Sequence, residues 1–167
     1  PDETPVSLYA RFRNEPNSFL FESVEGGEKV ARFSFIGFRP LQLFRSRGKR
    51  IELRGRQGSW KRLRASDPLQ ALEQCLARYR HAPLKNAPRL SGGAVGYLSY
   101  ETVRSIEKLP VGKKPRIDPW DMYFMVPQIL LCFDNKEQRL HLLYQVPTSR
   151  IRNFEKAYQV ARQELLS

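Results

Sequence analysis

Hydrophobic and polar positions recur along this chain at two periods, and the points where one gives way to the other divide it into elements. Residues 18–24, Ser-Phe-Leu-Phe-Glu-Ser-Val, are apolar and rich in aromatic and branched side chains, and Gly26-Gly27 closes the run, which predicts a buried strand followed by a tight loop. Arg32 to Arg45 favours a strand, with breaks predicted at Gly37 and Pro40. Gly48-Lys49 then separates it from Ile51 to Arg54, the pattern of a hairpin with a Gly-containing turn. Asp67-Pro68-Leu69-Gln70 sets a capping acid, a Pro at the first helical position and a Gln three residues after the cap. Apolar residues at Leu69, Leu72, Leu76 and Tyr79 follow, predicting a helix over Pro68 to Tyr79.

Further along, Ser91 to Tyr97 reads as a Gly-rich strand whose glycines allow close backbone approach. Its spacing lacks the Lys-Ser/Thr of a phosphate-binding loop and the pattern of a dinucleotide fingerprint. A short helix over Tyr100 to Lys108, a Pro-containing basic loop over Lys108 to Pro119, and strands at Met122 to Phe133 and Gln138 to Val146 joined by Asp134-Asn135-Lys136 are expected next. From Thr148 to Leu166, Ile151, Phe154, Tyr158, Ala161 and Leu165 recur at helical spacing. The fold class this predicts is α+β, antiparallel sheet flanked by a few helices, in one domain over residues 1–167.

Composition supports a packed core, since 41% of the residues are hydrophobic. The longest apolar run, Met122 to Phe133, is interrupted by Pro127-Gln128 and is too short to span a bilayer, and no charged, apolar leader opens the chain. Cys75 and Cys132 stand far apart with no ligand spacing and read as reduced thiols, so the expected location is cytoplasmic. The net charge of +12 raises nucleic acid as a partner. Eleven basic residues fall between Arg32 and Arg64 against the single acid Glu52, however, and many alternate with apolar residues. This reads as an exposed, solvated hairpin without a stacking aromatic platform, so no specific nucleic acid and no membrane are expected.

Candidate chemistry is sparse. His81 and His141 have no acid or nucleophile at a telling spacing, and Asp118 and Asp121 serve equally to turn the chain. Glu22-Ser23, followed by Glu25-Gly26-Gly27 and then Arg32, is more informative. A carboxylate and a hydroxyl at a strand end, with a guanidinium ten residues on, can hold an amino-acid zwitterion. A surface salt bridge between Glu22 and Arg32 accounts for the same residues equally well.

The order of motifs adds a resemblance. Phe19 to Glu28 (FLFESVEGGE) with Arg32 to Gly37 (RFSFIG), then Gly92 to Arg104 (GGAVGYLSYETVR), Glu107 to Pro110, Asp121 to Met125 and Phe133-Asp134 resemble the N-terminal part of the anthranilate synthase component I family, over Thr4 to about Val146. Phe21 and Phe33 depart from that family's usual Leu and Tyr. The resemblance implies a single N-terminal regulatory domain of a two-domain enzyme. That enzyme converts chorismate and glutamine, or ammonia, to anthranilate, pyruvate and glutamate in tryptophan biosynthesis. Phe21, Glu22 and Ser23 match the segment that binds L-tryptophan as inhibitor, and Arg32 matches the basic residue there. It further implies no catalytic residue, no metal site and no cofactor in this chain. Mg2+ and the chorismate-binding residues would belong to a C-terminal domain outside it, and glutamine amidotransferase component II would be a partner. Aminodeoxychorismate synthase component I has a similar N-terminal pattern, and a free-standing basic binding module is the alternative of another class.

Overall fold

The computed structural model describes residues 3–22, 32–79, 85, 87–107, 119–148 and 151–166. Among the described residues its elements are three α-helices, two 3₁₀ segments and a seven-stranded antiparallel sheet, the α+β class read from the sequence. The sheet runs β4-β3-β2-β6-β5, with β1 paired to β2 and β7 to β6. The strands are β1 Phe19–Phe21, β2 Phe33–Arg47, β3 Arg50–Gly55, β4 Lys61–Leu63, β5 Val95–Leu98, β6 Met122–Asp134 and β7 Arg139–Tyr144. The chain divides into two compact units, one of residues 1–40, 81–92 and 127–167, the other of residues 41–80 and 93–126. Among the described residues no helix is long and apolar enough to cross a membrane.

The first unit opens with helix α1, Pro5–Phe12, which the hydrophobic pattern had not marked. Its start is chemical rather than periodic. The Thr4 hydroxyl accepts the Ser7 N–H at 3.1 Å, the Ser7 hydroxyl accepts the Thr4 N–H at 2.9 Å, and Pro5 brings no donor that would go unpaired. Leu8 of α1 packs with Ile36 and Phe38 of β2 and Ile129 and Leu131 of β6, and Phe12 stacks on Phe38 with centroids 4.3 Å apart. Helix α3, Phe154–Leu166, begins later than Thr148 because Asn153 caps it, its Oδ1 accepting the Lys156 N–H at 3.0 Å. Ile151, predicted inside the helix, lies ahead of it in a turn closed by its N–H to the Thr148 carbonyl.

Strand β2 is continuous through both predicted breaks. Gly37 is retained inside it because the Phe19 ring occupies the space of a Cβ, 2.2 Å from where that atom would stand. Pro40 is passed by a kink at Arg39, whose φ is 52°. The predicted strand at 18–24 is shorter and less buried: it spans Phe19–Phe21, pairs with β2 alone, and leaves Phe21 49% exposed. Ser23-Val24 and the Gly26-Gly27 loop lie outside the described residues, as do His81 and the loop over 108–118.

In the second unit, Gly48 and Lys49 close the β2–β3 hairpin as a two-residue loop, Arg47 facing Arg50, with Gly48 at φ 51° in the place that a II′ turn reserves for Gly. Helix α2, Pro68–Leu76, followed by a 3₁₀ turn at Ala77–Tyr79, starts as read: Asp67 Oδ1 accepts the N–H of Leu69 at 2.8 Å and of Gln70 at 3.2 Å. Ala71, Leu72 and Cys75 of α2 pack against Phe44, Ile51 and Met122, so Cys75 serves packing as expected. The Gly-rich strand shortens to β5, because Gly93 turns at φ 97° before it. Gly96, within it, does lie against backbone. The helix expected at Tyr100 to Lys108 is a 3₁₀ helix over Tyr100–Ser105.

The basic hairpin is exposed at Arg47, Lys49, Arg50, Arg56, Lys61, Arg62 and Arg64, as read in the sequence, but not at Arg45. Arg45 keeps only 19% side-chain exposure, forms an ion pair with the buried Glu52, and lies over the rings of both Trp60 and Trp120. Aromatic residues distant in sequence do therefore accompany the charge.

Candidate functional site

Successive side chains of a strand point to opposite faces, so Phe19 and Phe21 of β1 share a face with Phe33, Phe35 and Gly37 of β2 through the register Phe19↔Gly37 and Phe21↔Phe35. Four phenylalanines thus come from two short stretches of sequence to one face of the first unit. The rings of Phe19 and Phe21 lie 4.9 Å apart and those of Phe33 and Phe35 6.1 Å apart, and the missing Cβ of Gly37 admits the Phe19 ring. Such a surface, partly open at Phe21, suits a flat aromatic group.

Polar groups adjoin it at Phe33. The Arg32 guanidinium stands over the Phe33 ring, 4.8 Å from its centroid, and forks onto Asp134 at the end of β6, with Nε to Oδ1 at 3.0 Å and Nη2 to Oδ2 at 2.6 Å. The Asp134 carboxylate also accepts the backbone N–H groups of Lys136 and Glu137, each at 3.1 Å. The hydrogen bonds from Arg32 hold its pKa down at about 2 against the opposing effect of burial. Asp134 in turn raises that of Arg32. A cavity of about 380 Å³ opens beside the pair, lined by Phe33, Pro88, Arg89, Glu137, Arg139 and His141. His141 reaches it because the register Cys132↔His141 and Asp134↔Arg139 puts His141 and Arg139 on the Asp134 face of the sheet.

Of the four residues singled out in the sequence, the structure brings Phe21 against Phe19 and opposite Phe35. Glu22 follows at the strand end and is exposed, Arg32 is paired, and Ser23 lies outside the described residues. The salt bridge weighed between Glu22 and Arg32 is replaced by Arg32 with Asp134, across 102 residues of sequence. Phe35 and Arg139 were not picked out, Asp134 entered only as part of a motif and a turn, and His141 was set aside for want of a partner. Only the phenylalanines offered a signal, their spacing of two in both strands. Among the described residues no group of three His, Cys, Asp or Glu is placed to hold a metal ion.

A family model described as chorismate binding enzyme matches residues 16–165. The anthranilate synthase component 1 of Acetivibrio thermocellus is 35% identical over 156 residues, covering 93% of this chain and 31% of that protein. That of Pseudomonas putida is 35% identical over 156 residues, 92% of this chain and 31% of that protein. The corresponding protein of Acinetobacter calcoaceticus is 32% identical over 169 residues, 98% of this chain and 33% of that protein. The chain therefore spans about a third of the length of these relatives. A crystal structure of anthranilate synthase component I from Streptococcus pneumoniae TIGR4 shares the fold, with a TM-score of 0.64 at 21% identity over 99% of this chain and 35% of that one. The resemblance carried by the phenylalanine, glycine and arginine motifs is thus found again over nearly the whole sequence, and the chain belongs to the chorismate-binding enzyme family.

Proposed function

We propose that this chain is the tryptophan-sensing N-terminal region of an anthranilate synthase component I, the enzyme that turns chorismate and glutamine or ammonia into anthranilate, pyruvate and glutamate. The observation that carries the reading is the aromatic face: Phe21, in the segment matched to the inhibitor site, stands opposite Phe35 with Glu22 next in the chain. An indole lies flat against such rings, and an amino acid's ammonium is held by a carboxylate such as Glu22. Arg32 offers Asp134 its Nε and Nη2, so a ligand carboxylate would meet the other edge of the same planar fork. Asp134 keeps that fork oriented and charged.

Chorismate chemistry and its Mg2+ belong, in this reading, to a further domain that completes the enzyme and packs on this region. Glutamine amidotransferase component II supplies ammonia. The described residues of this chain do not fit the ion, since no acidic or imidazole cluster is present among them.

The test uses the complete enzyme carrying the chorismate-binding domain. Ser23→Ala and Glu22→Gln are each expected to raise the tryptophan inhibition constant about ten- to a hundredfold, since a hydrogen bond to a charged group is worth roughly 1.5 to 3 kcal/mol. Melting temperatures of the same preparations separate a lost ligand contact from a weakened fold. An unaltered inhibition constant in both variants would remove these residues from the site. Formation of aminodeoxychorismate instead of anthranilate would reassign the enzyme.

A further inference from the structure

Apart from the aromatic face, the densest chemistry in the molecule lies on the second unit, on the side of the sheet away from α2. Phe44, Ile51 and Leu53 face α2, so the alternation of β2 and β3 puts Arg45, Arg47, Glu52 and Arg54 on the opposite side. There Arg45 bridges two indoles, its Cζ 3.7 Å from the centroid of Trp60 and 4.1 Å from that of Trp120. Arg54 lies 5.1 Å over Trp60, and Arg47 and Arg50 lie 4.8 and 5.8 Å over Trp120. Rings continue the array, Trp60 to Tyr123 at 6.4 Å and Tyr123 to Tyr97 at 6.3 Å, ending on a Tyr97 that is 45% exposed.

The acid in this cluster is already used. Glu52 accepts Arg45 Nη2 at 2.7 Å on one oxygen and Arg50 Nη2 at 2.7 Å on the other, and is itself buried. Lys49, Arg50 and Arg62 are exposed along its rim, as is Arg47. Stacking fixes the planes of the guanidinium groups before any partner arrives, which lowers the ordering entropy lost on binding. Arginine, tryptophan and tyrosine are also the residues in which the binding energy of protein interfaces concentrates.

Three occupants can be compared. A second copy of this chain carries the same net charge of +12 and would bring like charge to like. A single-stranded nucleic acid is held by bases stacking on aromatic faces, but here guanidinium groups already lie over both indoles. A protein surface rich in carboxylates meets oriented guanidinium forks in a bidentate way and covers the ring edges and Tyr97 as well. We infer that this arginine–tryptophan face is a docking surface for a protein partner with an acidic, carboxylate-rich surface.

The chain carries its own reporter, because Trp60 and Trp120 are its two tryptophans and both lie in the array. The probes are a short oligoglutamate and an oligothymidylate of matched charge, titrated against the chain while tryptophan emission is followed. The oligoglutamate is expected to shift the emission saturably and to bind at least about tenfold more tightly than the oligothymidylate. Arg47→Glu with Arg54→Glu should weaken it by about tenfold or more, whereas the same charge change at Arg152 and Arg162 of the first unit should weaken it by less than about threefold. Should the first pair fail to fold by circular dichroism, Trp120→Leu, which alters no charge, is expected to give a comparable loss, read by anisotropy of labelled oligoglutamate. Equal losses from both arginine pairs, or no loss with Trp120→Leu, would reduce the effect to bulk charge and overturn the inference. Tighter, array-dependent binding of the oligothymidylate would replace the protein partner with a nucleic acid.

Discussion

Arg32 grips Asp134 through two guanidinium nitrogens, Nε at 3.0 Å and Nη2 at 2.6 Å, joining the start of β2 to the end of β6. Asp134 has its pKa depressed from 3.8 to about 2, so its contribution to stability is complete above the unfolded value and is lost as pH falls from about 4 toward 2. Arg32 is 36% exposed, and solvent screening limits the contribution to about 1 to 2 kcal/mol. Asp134→Asn should therefore melt below the parent at neutral pH, and the gap between them should close over that acidic window. A gap that stays constant down to pH 2 would mean that the carboxylate charge is not what Arg32 holds.

Three glycines rank by what a methyl group would meet. At Gly96 a Cβ would fall 2.0 Å from the Tyr123 carbonyl oxygen and 2.6 Å from the Phe124 Cα, both backbone atoms of the paired strand. Gly96→Ala should cost about 3 kcal/mol, the upper end of the usual overpacking range. Gly37→Ala meets only the Phe19 ring, which can swing away, and should cost about 1 to 2 kcal/mol. Gly55→Ala meets nothing within 4 Å and should stay within about 0.5 kcal/mol of the parent. Urea midpoints of the three variants give the order directly.

Asp67 is the side-chain acceptor at the start of α2, and Asp67→Ala leaves the Leu69 and Gln70 N–H groups without it. The expected loss is about 1 kcal/mol, or roughly 3 °C in Tm for a chain of this size. Asp67→Asn, which keeps an acceptor oxygen, should recover most of it. Equal melting of both variants would show that charge, not the capping bond, matters at this position.

Both thiols are inaccessible. Cys132 is fully buried and burial pushes its pKa up to about 12, while burial also raises that of Cys75. Labelling with a thiol reagent at pH 8 is expected to be slow in the folded chain and to accelerate with denaturant in step with unfolding, followed by mass spectrometry. One thiol modified within the mixing time would contradict this packing.

What could be read from the sequence was whatever local chemistry announces. Asp67-Pro68 marks α2 because cap and first turn are contiguous, and Gly48-Lys49 marks the hairpin for the same reason. Helix α1 has an equally local cap in Thr4 and Ser7, but its short apolar stripe gave no period to follow. Gly37 and Pro40 suggested breaks in β2 because their tolerance depends on Phe19 and on the turn at Arg39, neither visible in a hydropathy pattern. Phe21, Glu22 and Asp134 all stood in the quoted motifs, but the pairing of Asp134 with Arg32 was not visible, since 102 residues separate them. Arg45 looked solvent-facing because its two indole neighbours come from Trp60 and Trp120, on separate segments.

Strands β2 and β6 each run through both compact units, and the chain changes unit at 40/41, 80/81, 92/93 and 126/127. No single cut releases either unit as a contiguous segment, so limited proteolysis or truncation cannot yield one intact without the other. Contacts that join such interleaved segments close long loops before they are rewarded. That places the chain among slowly folding, high-contact-order topologies rather than among domains that assemble piece by piece as they leave the ribosome. The first unit, which holds Arg32 near its start and Asp134 near its end, can close that ion pair only after the 102 residues between them have been made.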